Sequence, residues 1–186
     1  IALLGWAPKN NQEKMTFDEM LQNFSLDGIS KSQSIFDEAK LRWLNGLYMK
    51  ELAPETFLKM ATPFLDRTKV AGKYDYAKLC KLIQNRIETF CDIADLVNFL
   101  EEFGPYDTAL FERAKLKATV SSAKEILPKV YDALLSVCDW TEENVQAALT
   151  ELIASLGVKN GIVFWPARIA ISGKESTPGG PSELAG

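Results

Sequence analysis

Apolar residues in this chain recur at three- and four-residue intervals, and no stretch alternates apolar with polar cleanly over six positions. A strand turns every second side chain to one face, whereas a helix gathers residues i, i+3, i+4 and i+7 into one stripe. The spacing therefore argues against a sheet and predicts an all-α chain. Ser34 with Asp37 reads as a capping box for a helix over 34–49, with Phe36, Lys40, Trp43, Leu44, Leu47 and Tyr48 as its stripe. The lysine stem lies along that apolar face. Leu79, Leu82, Ile83, Ile87 and Phe90 make a stripe over 77–90, and Ile93, Leu96, Val97, Leu100 and Phe103 another over 92–103. Between 108 and 138 the series runs Val120, Ala123, Leu127, Val130, Tyr131, Leu134, Leu135, Cys138, and Pro128 inside it predicts a kink or two helices.

The clearest helix covers 140–157. Thr141 is its N-cap, Glu142 and Glu143 suit the positive end of the dipole, and Gly157 suits the residue past the end. A last helix over roughly 161–171 contains Pro166, which predicts a short or kinked element. Breaks fall near Ala53-Pro54, Ala71-Gly72 and Gly104-Pro105, and residues 172–181 are rich in Gly, Pro and Ser. The aromatic residues Phe36, Trp43, Tyr48, Phe90 and Phe103 sit on stripes and read as core.

Composition narrows the chemistry. The 186 residues include no histidine, which excludes a Ser-His-Asp triad, a Cys-His pair, His-ligated zinc and a His general base. Cys80, Cys91 and Cys138 form no CxxC, and so sparse a set suits a reducing compartment. No apolar run approaches the ~20 residues of a membrane span. The start, Ile-Ala-Leu-Leu-Gly-Trp-Ala-Pro, has neither Met nor a basic flank, and predicts a cut inside a structured element.

Four groups of residues are candidates for chemistry. Ile29-Ser30-Lys31-Ser32 looks like the lysine loop of class I aminoacyl-tRNA synthetases, but no nucleotide-binding strand, Gly-loop and helix surround it. Glu101 with Glu102 and Glu142 with Glu143 are adjacent on helices, so neither pair faces one reacting atom. Trp165, in Phe164-Trp165-Pro166-Ala167-Arg168, places an aromatic face and a guanidinium close together, and both stack on unpaired bases. Thr177-Pro178-Gly179-Gly180 follows, where glycines allow close backbone approach to a base edge.

Together these motifs resemble the C-terminal, tRNA-binding part of the bacterial-type glutamyl-tRNA synthetase family. The matching residues run from Leu3-Leu4-Gly5-Trp6-Ala7-Pro8 through Ile29-Ser30-Lys31-Ser32 and Ile35-Phe36-Asp37 to Lys40-Leu41-Arg42-Trp43-Leu44-Asn45. They continue with Asp139-Trp140-Thr141-Glu142-Glu143, Lys159-Asn160-Gly161, Pro166 to Gly173, and Thr177 to Gly180. The resemblance implies two small helical-bundle anticodon-binding domains, at 53–104 and 105–186, after the end of a stem-contact region at 1–52. It implies that the catalytic domain, with ATP and magnesium, lies upstream. No catalytic residue, metal ligand or cofactor is then expected in this chain, and Lys31 is a lookalike.

It further implies that Arg168 contacts the region of the first anticodon base, with Thr177, Pro178, Gly179 and Gly180 beside it. Arg86, near Gln84, matches the position that helps read the third base, which separates glutamate from glutamine anticodons. The partner expected is tRNA(Glu), with tRNA(Gln) as a second candidate, for a cytoplasmic monomer without membrane contact. The chain departs from the family at Ala167, where Leu is frequent. It also stops short of a final helix, which implies a less ordered 172–186 segment. The net charge of -4 does not suggest RNA, but 157–186 holds Lys159, Arg168 and Lys174 against Glu175 and Glu183 only, so the acidic excess lies elsewhere. The competing function is a helical protein–protein interaction module with no RNA role.

Overall fold

The computed structural model describes residues 2–31, 35–101 and 104–186, and among them there is no strand. The helices are α1 (Ala2–Gly5), α2 (Phe17–Asn23), α3 (Glu38–Lys50), α4 (Pro54–Leu65), α5 (Tyr76–Ile83), α6 (Ile93–Val97), α7 (Val120–Leu135), α8 (Glu142–Leu156), α9 (Asn160–Ser172) and α10 (Pro181–Ala185). Short 3-10 turns at Phe90–Asp92, Asn98–Leu100, Thr108–Phe111 and Ala114–Leu116 join several of them.

Start and stop signals act locally. Thr141 Oγ1 accepts from the Asn144 N–H at 3.3 Å, and Gly157 closes α8 at φ +62, a left-handed conformation that a Cβ would disfavour. Pro54 begins α4, where its missing N–H costs no helical bond. Three other prolines, Pro63, Pro128 and Pro166, lie inside helices. Pro128 does not divide α7, and Pro166 does not shorten α9. Each interior proline costs about 3 kcal/mol. In α9 the packing of Val163, Ala167 and Ile169, all essentially inaccessible, offsets that cost.

The buried side chains gather in three clusters. One is built on α4, α5 and α6 around Phe57, Leu65, Ile83, Ile87 and Ile93. The second joins α7, α8 and α9 through Ile126, Val145, Leu149 and Val163. A smaller one sets Trp165 and Ile169 against Phe111 and Ala123.

The structure departs from the sequence reading at further points, among them Tyr131 and Leu135, stripe residues of α7 that are exposed, and the 92–103 stripe, whose α-helix ends at Val97. Ser34, like Phe103, lies outside the described residues, and α3 is capped by Asp37, whose Oδ1 accepts from the Lys40 N–H at 3.0 Å. The expected apolar stripe of α3 is not its buried face: Trp43 is 44% exposed, Phe36 and Tyr48 are exposed too, and Gly46 and Met49 are buried. Close backbone approach and polar ties, described below, select that face. The stripe over 77–90 is not one helix: α5 stops at Ile83, and the chain turns so that Ile87 and Phe90 reach the same core from a loop. Finally, 172–186 is not loosely held. Thr177, Pro178, Gly179, Pro181 and Ser182 are buried, and α10 ends the chain.

Candidate nucleic-acid interface

The C-terminal segment packs across α5 and α8. Gly179 sits where a Cβ would lie 2.9 Å from Glu183 Cβ and 3.2 Å from Leu82 Cδ2, so only glycine lets the loop rest on α5. Ser182 Oγ donates to Gln146 Oε1 on α8 at 2.7 Å, and Lys78 Nζ donates to the Gly186 carbonyl at 3.1 Å. Between these elements runs a cleft of about 490 Å³, lined by Lys78, Lys81, Asn85, Trp140, Glu142 and Glu183, among others. A second cleft of about 350 Å³ adjoins it through Lys78, Leu82 and Glu183 and has an apolar floor including Leu79, Val97 and Pro178.

Lys78, Lys81 and Asn85 project from the face of α5 and the turn after it at spacings of three and four. Trp140 stands just before the α8 cap and is 47% exposed. The lining is of mixed charge: Lys81 faces Glu142 at 3.7 Å, and Glu143 and Glu183 stand nearby. Such a groove repels a phosphate backbone but offers carboxylates and an amide to the donors and acceptors of a base edge. The exposed indole adds a surface on which any base stacks.

The residues singled out from sequence fall into two groups. Arg86 is exposed in the turn after α5, directly beyond Asn85; its N–H donates to the Ile83 carbonyl at 2.8 Å, and among the described residues its guanidinium has no partner. Arg168 is half-buried and makes one long bond, from Nη1 to the Glu175 carbonyl at 3.3 Å. These two cations keep donors to spare. The other group is engaged within the fold. Trp165 is 7% exposed, its Nε1 donates to the Leu110 carbonyl at 3.0 Å, and the Arg113 guanidinium lies 4.9 Å from its ring centre. It is a core residue with no open face for a base, because Arg113, held by Glu175 at 3.1 Å, covers it.

Gln84 is likewise spent: its Nε2 donates to the carbonyls of Met49 at 3.1 Å and Leu52 at 2.8 Å, so it ties α3 to α5 instead of facing solvent. The Thr177 hydroxyl donates to the Gly179 carbonyl at 2.7 Å, Pro178 lines the apolar cleft, and the Gly180 N–H donates to Glu183 Oε2 at 2.6 Å. These four residues shape the loop that walls the groove. No contact among the described residues joins Arg168 to Arg86. Trp140, named from sequence only within a family motif, and Lys78, Lys81 and Asn85 were not expected as site residues. Their signal was present: a tryptophan off every apolar stripe, and polar residues flanking Leu79 and Leu82 at helical spacing.

Among the described residues no cluster of acidic or thiol groups is arranged to hold a metal, and no helix is long and apolar enough to cross a membrane.

A family model described as "Anticodon binding domain" matches residues 56–185. The chain belongs to that family. As an anticodon binding domain protein it is 41% identical over 185 residues to the glutamate–tRNA ligase of Clostridium kluyveri, covering 100% of this chain and 38% of that protein. It is 42% identical over 188 residues to the glutamate–tRNA ligase of Clostridium novyi, covering 100% of this chain and 39% of the relative. The chain thus spans well under half the length of these relatives. The crystal structure of a glutamate tRNA ligase from Elizabethkingia meningosepticum, in complex with its amino acid, matches the whole chain at a TM-score of 0.73 and 24% identity, over 37% of that structure's chain. That likeness carries the all-α fold, and the family match carries the link to anticodon binding.

Proposed function

We propose that this chain reads the anticodon of tRNA(Glu) as the RNA-holding part of a glutamate–tRNA ligase. The observation that carries the reading is the groove between α5, α8 and the C-terminal segment, with Trp140 exposed at it; the exposed Arg86 follows its lining residue Asn85 in the chain. It lies within the span matched by the anticodon binding domain model. Unpaired loop bases stack on Trp140 and meet the polar groups of Asn85, Glu142 and Glu143 at their edges. Arg86 and Arg168, each with donors to spare, neutralise phosphates outside the groove or fix a base edge. Arg86 distinguishes the third anticodon base. ATP and magnesium, and the joining of glutamate to tRNA, belong to a catalytic part outside these residues, so this chain binds RNA without aminoacylating it.

The test is titration of the chain with a fluorescent tRNA(Glu) anticodon stem-loop and with a scrambled loop, each at two salt concentrations. The cognate loop binds more tightly at both, and the gap persists when salt weakens the phosphate contacts. Equal, weak binding of both loops refutes the reading. Trp140→Ala and Arg168→Ala each weaken the cognate complex by about 1–3 kcal/mol, the range for a stacked base or a good base contact. Unchanged affinity removes that residue from the site.

A further inference from the structure

The turn that carries Arg86 is fastened along one face of α3. Arg42, Asn45, Gly46 and Met49 lie at spacings of three and four on that helix, so they share a side. Arg42 spans two carboxylates, with Nε 3.2 Å from Glu88 Oε2 and Nη2 2.7 Å from Asp92 Oδ1. Asn45 Nδ2 donates to the Glu88 carbonyl at 2.5 Å. A Cβ on Gly46 would lie 3.3 Å from Glu88 Cγ and 3.5 Å from Glu88 Cα, so the helix backbone comes as near the turn as packing allows. At the other end of the turn, Gln84 donates to the Met49 carbonyl in the last turn of α3 and to the Leu52 carbonyl just past its end.

Arg86 stands midway between these ties, two residues from Gln84 and two from Glu88. The flanking Ile83 and Ile87 are fully buried, so the backbone under Arg86 has little freedom to tilt. Asp92 completes the frame. Its Oδ2 accepts from the Glu88 N–H at 3.0 Å and the Thr89 N–H at 2.9 Å, so one carboxylate joins the turn, the start of the next element and α3. The opposite side of α3 is held by the N-terminal stretch. Lys40 Nζ meets Glu13 Oε1 at 2.6 Å, the Tyr48 hydroxyl donates to the Met15 carbonyl at 2.7 Å, and Lys14 pairs with Glu51. Helix α3 therefore lies between residues 13–15 and the Arg86 turn.

We infer that Arg42 is a positioning residue for Arg86: it touches no RNA, but by clamping Glu88 and Asp92 to α3 it sets where the Arg86 guanidinium meets the third anticodon base. The inference rests on the proposed role of Arg86 in reading that base. It adds that α3, with residues 13–15 behind it, is the rigid reference from which the base is measured. Arginine suits the clamp because its planar fork holds two carboxylates in fixed geometry, which a lysine ammonium cannot.

The test uses the 186-residue chain and two anticodon stem-loops that differ only at the third anticodon base, C or G, and reads the ratio of their dissociation constants. A purely structural loss lowers the folded fraction and weakens both loops alike, leaving the ratio unmoved. Arg86→Ala lowers the ratio by at least about fivefold, the lower bound for a good base contact. Arg42→Ala lowers it by a comparable factor, and Arg42→Lys gives a value between those of Arg42→Ala and the parent. A parental ratio in Arg42→Ala alongside a lost ratio in Arg86→Ala overturns the positioning role and leaves the Arg86 reading intact. A parental ratio in Arg86→Ala overturns both. If Arg42→Ala does not fold, Arg42→Lys decides by the same ratio, and a parental value there refutes the inference.

Discussion

Trp165→Phe keeps an aromatic ring in the core of the C-terminal half but removes the indole N–H. In the parent that group donates to the Leu110 carbonyl at 3.0 Å, and the ring carries the Arg113 guanidinium at 4.9 Å. Loss of the hydrogen bond costs about 1 kcal/mol, and more if the Leu110 carbonyl stays dry and unpaired. A weaker cation–π contact and the smaller ring add roughly 1 kcal/mol or more. The expected destabilisation is about 2–4 kcal/mol, a fall in melting temperature of roughly 4–16 °C for a chain of this size. Circular dichroism at 222 nm measures it. The variant's affinity for the cognate stem-loop, taken well below its melting point, stays at the parental value, because the ring is walled off from the groove. A tenfold loss of RNA affinity without a change in melting temperature would show that Trp165 stacks on a base and that its buried position is not the working one.

Burial alone pushes the Asp92 carboxyl up, but the Arg42 guanidinium and the N–H groups of Thr89 and Glu88 outweigh it and hold it below the ordinary aspartate value. A carboxylate so depressed adds stability above its unfolded pKa, roughly 3.9, and loses it as pH falls through the folded value. In urea titrations the gap between parent and Asp92→Asn is therefore full at neutral pH and closes on acidification; a constant gap contradicts the clamp. Burial drives the Cys80 thiol up to about 11, whereas Cys91 and Cys138 are exposed. A disulfide reagent at pH 8 thus titrates two thiols in the folded chain and the third only in denaturant, and rapid reaction of all three would contradict the burial of Cys80. Gly157→Ala forces a Cβ into a left-handed cap at φ +62 and costs about 1 kcal/mol, readable as a lower urea midpoint with an unchanged slope.

Helix identity was legible wherever sequence and local chemistry agreed. The Thr141 cap, the acidic first turn and Gly157 predicted α8 because each signal acts within one turn of its helix. The failures share a cause: the deciding contacts lie far away in sequence. Trp43 and Tyr48 looked like core because they fall on an apolar stripe, but Gly46 and Asn45 choose the other face of α3 by meeting Glu88, more than forty residues on. Pro128 and Pro166 looked like breaks because their local cost is large and the buried packing that outweighs it cannot be read from spacing. At the site, Arg86 and Arg168 were identified in sequence and keep free donors, whereas Gln84, named for its place beside Arg86, and Trp165, named for its aromatic face, are committed within the fold. Trp140 and the lysines of α5 had a visible pattern. What made them a site was the C-terminal segment folding across them.

That crossing segment also bears on how the chain comes apart. The cluster around Phe57 and Ile83 and the cluster around Val145 and Val163 share no side chain. Lys174 reaches Asn98, Gly179 rests on Leu82, and Ser182 holds Gln146, so fourteen or so residues stitch the two together. Among the described residues, the only ion pair between α5 and α8, Lys81 with Glu142, is exposed and too weak to do so alone. The segment is thus the packing that couples the two cores. A protease nick near Gly173 is expected to weaken that coupling, which calorimetry reads as a broadened or split thermal transition; an unchanged transition contradicts it.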